Sequence, residues 1–325
     1  MAATTSLLRA AATAMALASA GLPAAAQDYP SRPITIVVGY TPGAASDLLA
    51  RTVADGLNAA WGRPVIVDNR SGAGGNIGAA YVARAQPDGY TLMVGTDATM
   101  TSNAYLYKNL PFDPVKDFAP ITNAGANIIC LAIHTDLPVD SVAALIAYAK
   151  ANPGGLKYGS SGLGSPHHLA GELLRQKAGI DIVHVPYRGG GAAINDLIGG
   201  HIKMAFLSLS AAVPQLAGGR IKILAVVEKS RYAAMAAIPA VAETVPGFEM
   251  ASWIAMFAPS ATPQPVVSRL NAAIVKILTT DAVKERFATL GFPVVAGTPD
   301  ELAALVRDGL AVRGQLIKAA NIQPE

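Results

Sequence analysis

The sequence predicts an α/β protein built as two lobes. Three observations carry this: short β-branched runs alternate with helical stretches, 31 glycines punctuate the junctions, and the length suffices for two cores. Ile34-Thr35-Ile36-Val37-Val38 reads as a buried strand, followed after a glycine-bearing loop by a helix with Leu48, Leu49, Val53 and Leu57 on one face. Pro64-Val65-Ile66-Val67 and Thr91-Leu92-Met93-Val94 follow as second and third strands, the latter opening into Gly95-Thr96-Asp97-Ala98-Thr99. Three successive βα units of this kind build a parallel sheet.

A second series starts at Ile128–Ile133 and continues through Leu156–Tyr158, Ile182–Val185, Ile202–Phe206 and Ile221–Val227. Beyond Trp253–Ala258 the pattern is helical, at about Pro265–Leu278, Ala282–Leu290 and Pro299–Ala320, with one short strand at Pro293–Val295. The first lobe has too few elements to close a core, and the C-terminal helices have no sheet of their own. Packing one on the other solves both problems, so the chain should cross between lobes near Thr122–Asn127 and again near Ser252–Phe257. The lobes are then residues 28–124 with 254–325, and residues 125–253.

Residues 1–26 stand apart. They contain no acidic residue, place Arg9 before an apolar run from about Ala10 to Leu22, and end in Ala24-Ala25-Ala26. The run is shorter than the about 20 residues that span a bilayer, and its layout is that of a signal peptide cleaved before Gln27. Periplasmic export is the corresponding expectation. Cys130 is the only cysteine, so an oxidising compartment brings no internal disulfide. The net charge of +3 is too small to point to nucleic acid.

Enzyme motifs fail one by one. Gly72-Ala73-Gly74-Gly75-Asn76-Ile77-Gly78 has Ile77 where a dinucleotide fingerprint needs glycine, and no phosphate loop is present. Ser160 and Ser161 miss the strand-to-helix nucleophile elbow by one residue. His167 and His168 diverge by about 100° on a helix and cannot share a metal. No cofactor and no metal are expected.

What recurs instead is a small, polar loop emptying into a helix N-terminus. Pro42-Gly43-Ala44-Ala45-Ser46 is one; Ser160-Ser161-Gly162-Leu163-Gly164-Ser165-Pro166 is another, with Ser165 as N-cap; Tyr187-Arg188-Gly189-Gly190-Gly191 is a third. Such termini offer unpaired N–H groups and partial positive charge, and so bind carboxylates without a lysine or arginine.

The ordered runs Tyr29–Ile34, Val37–Asp47, Asp68–Gly78, Pro87–Leu92, Leu106–Pro114 and Gly162–Ala170, with Asp196-Leu197, resemble the Bug family, the periplasmic receptors of tripartite tricarboxylate transporters. The resemblance covers the mature chain. It implies a periplasmic-binding-protein fold of type II (a Venus flytrap) with the ligand cleft between lobes, one bound organic acid, a two-component membrane permease as partner, and a monomer. It places the first carboxylate-binding loop on Tyr40–Asp47 and the second on Ser160–His168, with His168 included. Where the family usually has a second glycine this chain has Ala44, whose methyl group bars positive φ.

Other residues keep two readings. Tyr40 either packs over the ligand or belongs to the core. Thr96 and Asp97 sit where the ligand's variable end is expected; Asp97 either meets a ligand amine or hydroxyl or caps its own loop amides. Asp47 charges the first turn of its helix. Arg188 either pairs with a carboxylate or is solvated. Asp196 orients a loop through backbone N–H groups, His184 is structural, and Ser208 and Ser210 end a strand at the cleft. The same receptor could serve a sensor, and an enzyme would require a titratable pair in the cleft.

Overall fold

The computed structural model describes residues 29–319 and 322–324; the segment read as a signal peptide lies outside them. Strands are β1 (Ile34–Val38), β2 (Val65–Asn69), β3 (Thr91–Thr96), β4 (Phe118–Ala126), β5 (Ile129–His134), β6 (Leu156–Ser160), β7 (Ile182–Pro186), β8 (Met204–Ser208), β9 (Ile221–Val226) and β10 (Trp253–Pro259). The longer helices are α1 (Ala45–Trp61), α2 (Asn76–Ala83), α3 (Val142–Ala151), α4 (Pro166–Ala178), α5 (Gly190–Ile198), α6 (Gln264–Leu278), α7 (Asp281–Thr289) and α8 (Pro299–Ala319).

The strands form two five-stranded sheets, ordered β2-β1-β3-β10-β4 and β7-β6-β8-β5-β9. β1 pairs in parallel with β2 and β3, as the βα units require. Neither sheet is wholly parallel, however. β10 returns antiparallel between β3 and β4, and β5 runs antiparallel to both β8 and β9. β4 is a strand that periodicity did not reveal, because Pro120, Asn123 and Gly125 dilute its apolar run and β-bulges shift its register against β10. The short strand expected at Pro293–Val295 reduces to one bridge, Val294 to Gly125.

Alternation along β1 sets the layers of the first sheet. Ile34, Ile36 and Val38 join Leu49, Val53 and Leu57 of α1 and Val267, Leu270 and Ile274 of α6 in one core. Val37 points to the opposite face, with Ala79 and Val82 of α2 and Leu302 and Val306 of α8. The second sheet is covered likewise: Ile129, Leu131 and Ile133 pack with α3 and α4, while Cys130 and Ala132 pack with α5. The chain passes from β4 to β5 at Asn127–Ile128 and returns into β10, where Asn127 N–H donates to the Ser252 carbonyl at 3.0 Å. Both crossings therefore run side by side beneath the space between the sheets. Among the described residues no helix is long and apolar enough to cross a membrane.

Leu270 is fully buried beside the β1 residues. Leu270→Ala should cost about 2–5 kcal/mol of stability, read as a lower urea midpoint; an unchanged midpoint would show that α6 adds nothing to this core.

Candidate functional site

The loops that leave β1 and β3 face those that leave β6, β7 and β8 across the gap between the sheets. In the first, Gly43 takes the left-handed conformation (φ 83°) that its lack of a side chain permits. Ala44 is extended at φ −76°, so its methyl group causes no strain and the departure from a second glycine is accommodated. α1 then begins at Ala45, and its first amides have no intrahelical acceptor. Opposite, Ser165 caps α4: its hydroxyl accepts from the His168 N–H at 3.2 Å and donates to the Gly162 carbonyl at 2.7 Å. Pro166 fits the first helical position, where no N–H is needed. Gly189 precedes α5 with no side-chain cap.

Between these termini lies a narrow cavity of about 30 Å³. Of the residues expected from sequence, Tyr40, Ala44, Ala45, Ser46, Thr96, Asp97, Ser161 and Ser208 line it. Asn127, Pro166, His167, Gly190, Ala211, Ser252 and Ile254 complete the wall. No lysine or arginine is among the lining residues. A wider, open groove runs along α2 past Arg32, Arg70, Ile77 and Tyr81. Arg32 is engaged with Asp88 and the Tyr90 ring, and Arg70 with Asp68 and the Tyr81 ring.

The remaining expected residues support the wall without forming it. Asp47 turns outward, accepting from the Gly43 N–H, from Arg51 and from Asn69. Burial pushes its carboxyl up, but these partners outweigh burial and hold it below the usual range. Pro42 and Gly43 are exposed at the rim. Ser160 contacts His184 Nε2 at 2.6 Å and accepts from the Gly162 N–H. Gly164 donates to His168 Nδ1, and the His168 ring stacks on His184 at 4.0 Å rather than facing the cavity. Tyr187 donates to the Asp196 carboxylate at 2.7 Å, so Asp196 holds a phenol instead of loop amides. Arg188 is exposed and outside the wall. Ser210 lies outside this wall, in a neighbouring groove with Gly43 and Ala44, its buried hydroxyl without a partner.

Tyr40 answers both of its readings. It lines the cavity, and its buried hydroxyl meets Thr96, Thr99 and the Gly74 carbonyl at 3.0–3.1 Å. The glycine-rich run at 72–78 thus serves as a scaffold: Gly74 O also accepts from Thr99 and Asn103.

His167 is the cavity's titratable wall. Its Nδ1 meets Ser161 Oγ at 2.7 Å and its Nε2 meets Ser208 Oγ at 3.3 Å. Burial depresses its pKa to about 4, so the ring is neutral near pH 7 and carries one N–H. One serine must therefore accept from the ring, keeping its own hydroxyl hydrogen for the cavity.

Asp97 is buried and spends its oxygens on Ser252 Oγ and on Arg313 of α8, each at 2.9 Å, rather than on its own loop alone. Burial pushes this carboxyl up against the opposing pull of Arg313, Ser252 and the Ala98 amide. Sequence gave no sign of Arg313, which lies 216 residues away in a helix read only as packing. The resemblance singles out His168 within the Ser160–His168 loop and not His167, and two adjacent histidines carry no sequence signal of which one faces the cavity. Asn127 and Ser252 sit where the crossings were expected, but a crossing marks no side chain as a wall. Among the described residues no group of three His, Cys, Asp or Glu side chains could hold a metal.

Two mixed α/β lobes, crossed twice by the chain and enclosing a cavity, define a periplasmic solute-binding receptor fold. Residues 49–322 match the family described as "Tripartite tricarboxylate transporter family receptor", and the chain belongs to it. It is similar to the protein BugT of Bordetella pertussis, 35% identical over 296 residues that cover 90% of this chain and 91% of that one. Among solved structures it is similar to R. palustris Rpa4515 with adipate, at 37% identity and TM-score 0.89, covering 92% of this chain and 100% of that one. It is also similar to MatC from Rhodopseudomonas palustris with bound malate, at 30% identity and TM-score 0.83, covering 89% and 100%.

Three histidines of the second lobe share one pH consequence. Burial lowers His167 and His168 to about 4, and burial with the neighbouring His168 lowers His184 to about 3. Unfolded histidine titrates near 6.5, so between these values the unfolded chain binds more protons and stability rises with pH. It should be fully present above about pH 6.5 and fall toward pH 4, by up to about 1.4 kcal/mol per pH unit per histidine. Urea midpoints at several pH values check this, and His168→Gln should flatten the slope.

Proposed function

We propose that this receptor captures a small organic acid by its carboxylate, using backbone amides and serine hydroxyls in place of a basic residue. The observation that carries the reading is the convergence of the α1, α4 and α5 N-termini on one cavity without a lining lysine or arginine. Charge-assisted hydrogen bonds contribute about 1.5–3 kcal/mol each, so a few from the Ala45, Ser46 and Gly190 amides and from whichever of the Ser161 and Ser208 hydroxyls accepts from the His167 ring suffice for micromolar capture. The adipate and malate bound to the similar structures support a carboxylate.

The role is binding rather than catalysis. Ser161 and His167 have the spacing of a nucleophile and base, but the second ring nitrogen meets Ser208 where a triad needs an orienting carboxylate. A histidine near pKa 4 is also a weak base at neutral pH. The functional units are residues 28–124 with 254–325, and 125–253, closing as a monomer on the solute and presenting it to a two-component membrane permease. Export to the periplasm uses residues 1–26, removed before Gln27. Intact mass of protein recovered from the periplasm should correspond to a chain starting at Gln27; a species retaining Arg9 would exclude that site.

Closure brings backbone against backbone at the rim. A β-carbon on Gly191 would lie 2.2 Å from the Pro42 carbonyl oxygen, and one on Gly189 would lie 2.6 Å from Thr41 Oγ1. In a thermal-shift screen of mono- and dicarboxylates, a ligand at a hundred times its Kd should add about 2.7 kcal/mol of apparent stability. Gly191→Val should keep the fold and weaken that ligand at least about tenfold, or 1.4 kcal/mol. Binding of neutral or cationic solutes in preference to every carboxylate would overturn the proposal.

A further inference from the structure

The floor of the cavity contains a chain of hydrogen bonds whose direction is fixed at one end. Arg313 can only donate, so the Asp97 oxygen that it meets at 2.9 Å accepts. The other Asp97 oxygen accepts from Ser252 Oγ–H at 2.9 Å. That bond uses the only hydrogen of the serine hydroxyl, which can then only accept from Asn127, 3.4 Å away. The Asn127 group facing Ser252 must therefore be its NH₂. Its carbonyl oxygen, Oδ1, is left pointing elsewhere.

That oxygen is buried in a residue only 4% exposed, has no partner, and belongs to a side chain that lines the cavity. Turning the amide over would set its oxygen against a hydroxyl whose hydrogen is already committed, so the orientation is held. An unmet buried acceptor is costly, and whatever fills the cavity decides whether that cost persists. Asn127 comes from the crossing between β4 and β5, and Ser252 from the crossing before β10, so neither belongs to the helix-terminal loops that supply the amides.

We infer that Asn127 Oδ1 is a specificity-determining acceptor that selects, among organic acids, those whose far end carries an O–H or N–H donor. The inference rests on the carboxylate reading above. A methyl-ended acid leaves the acceptor dry, and a second ionised carboxylate sets negative charge against it. A hydroxyl, amide or ammonium satisfies it. Asp97 acts at one remove, as a positioning residue: with Arg313 it orients Ser252, and through it Asn127.

The test is calorimetry on the full mature chain with straight-chain acids of four to six carbons ended by methyl, hydroxyl, carboxamide or carboxylate. Butyrate, 4-hydroxybutyrate, succinamate and succinate form the shortest set. At the best chain length the hydroxyl- or carboxamide-ended member should bind at least about tenfold tighter than its methyl- and carboxylate-ended partners. Asn127→Leu should abolish that preference while retaining the methyl-ended acid. Ser252→Ala, which frees the amide to turn, should shrink it. Equal binding of methyl- and hydroxyl-ended acids by the unaltered protein, as a water bridging to Oδ1 would produce, overturns the inference even if Asn127→Leu fails to fold. So does a preference that survives Asn127→Leu. Failure of every acid to bind is a separate result: it removes the capture reading itself, and this inference with it.

Discussion

Beneath the cavity a carboxylate and a guanidinium are buried together, and much of the site hangs on that pair. Asp97 and Arg313 are 1% and 9% exposed, and neither would tolerate that burial alone; removing one partner of such a pair typically costs about 3–5 kcal/mol. Arg313 also donates to the Ala251 carbonyl and to Met250 Sδ. One guanidinium thus ties the last helix, the loop after β3 and the return crossing to each other. It places positive charge behind the wall, where it neutralises Asp97 without competing for an incoming anion.

That arrangement explains an otherwise odd composition for an anion site. A lysine in the wall would hold any anion, whatever its shape. In the capture mode proposed above, helix termini hold one carboxylate by direction, and a neutral His167 between two serines leaves one hydroxyl donor free without a titrating charge near pH 7. The wall therefore combines donors from the helix-terminal loops with the unmet Asn127 acceptor from the crossing.

The fold was legible because its signals are local. The alternation of Ile36, Val37 and Val38 fixes which helices cover which face, and the Gly43 and Ser165 positions announce where α1 and α4 begin. β4 escaped because its pairing partner, β10, lies more than a hundred residues away and tolerates proline and bulges. The site was legible only as far as it is made of loops. Ala45, Ser46 and Ser161 follow from helix starts; Arg313, Asn127 and Ser252 follow from tertiary contact alone. His168 and Arg188 had the right chemistry, but stacking on His184 and exposure to solvent direct them elsewhere.

The rim contacts, Gly189 and Gly191 against Thr41 and Pro42, are made by protein to protein and involve no solute atom. In the closing receptor proposed above, they enter the balance between open and shut forms as a fixed bias of the chain. Observed affinity is the intrinsic affinity of the shut form multiplied by the fraction of molecules in it. Sequence drift at these four positions can retune the working concentration range of the receptor while its preference among solutes stays unchanged. On that closure, range and selectivity are separately heritable.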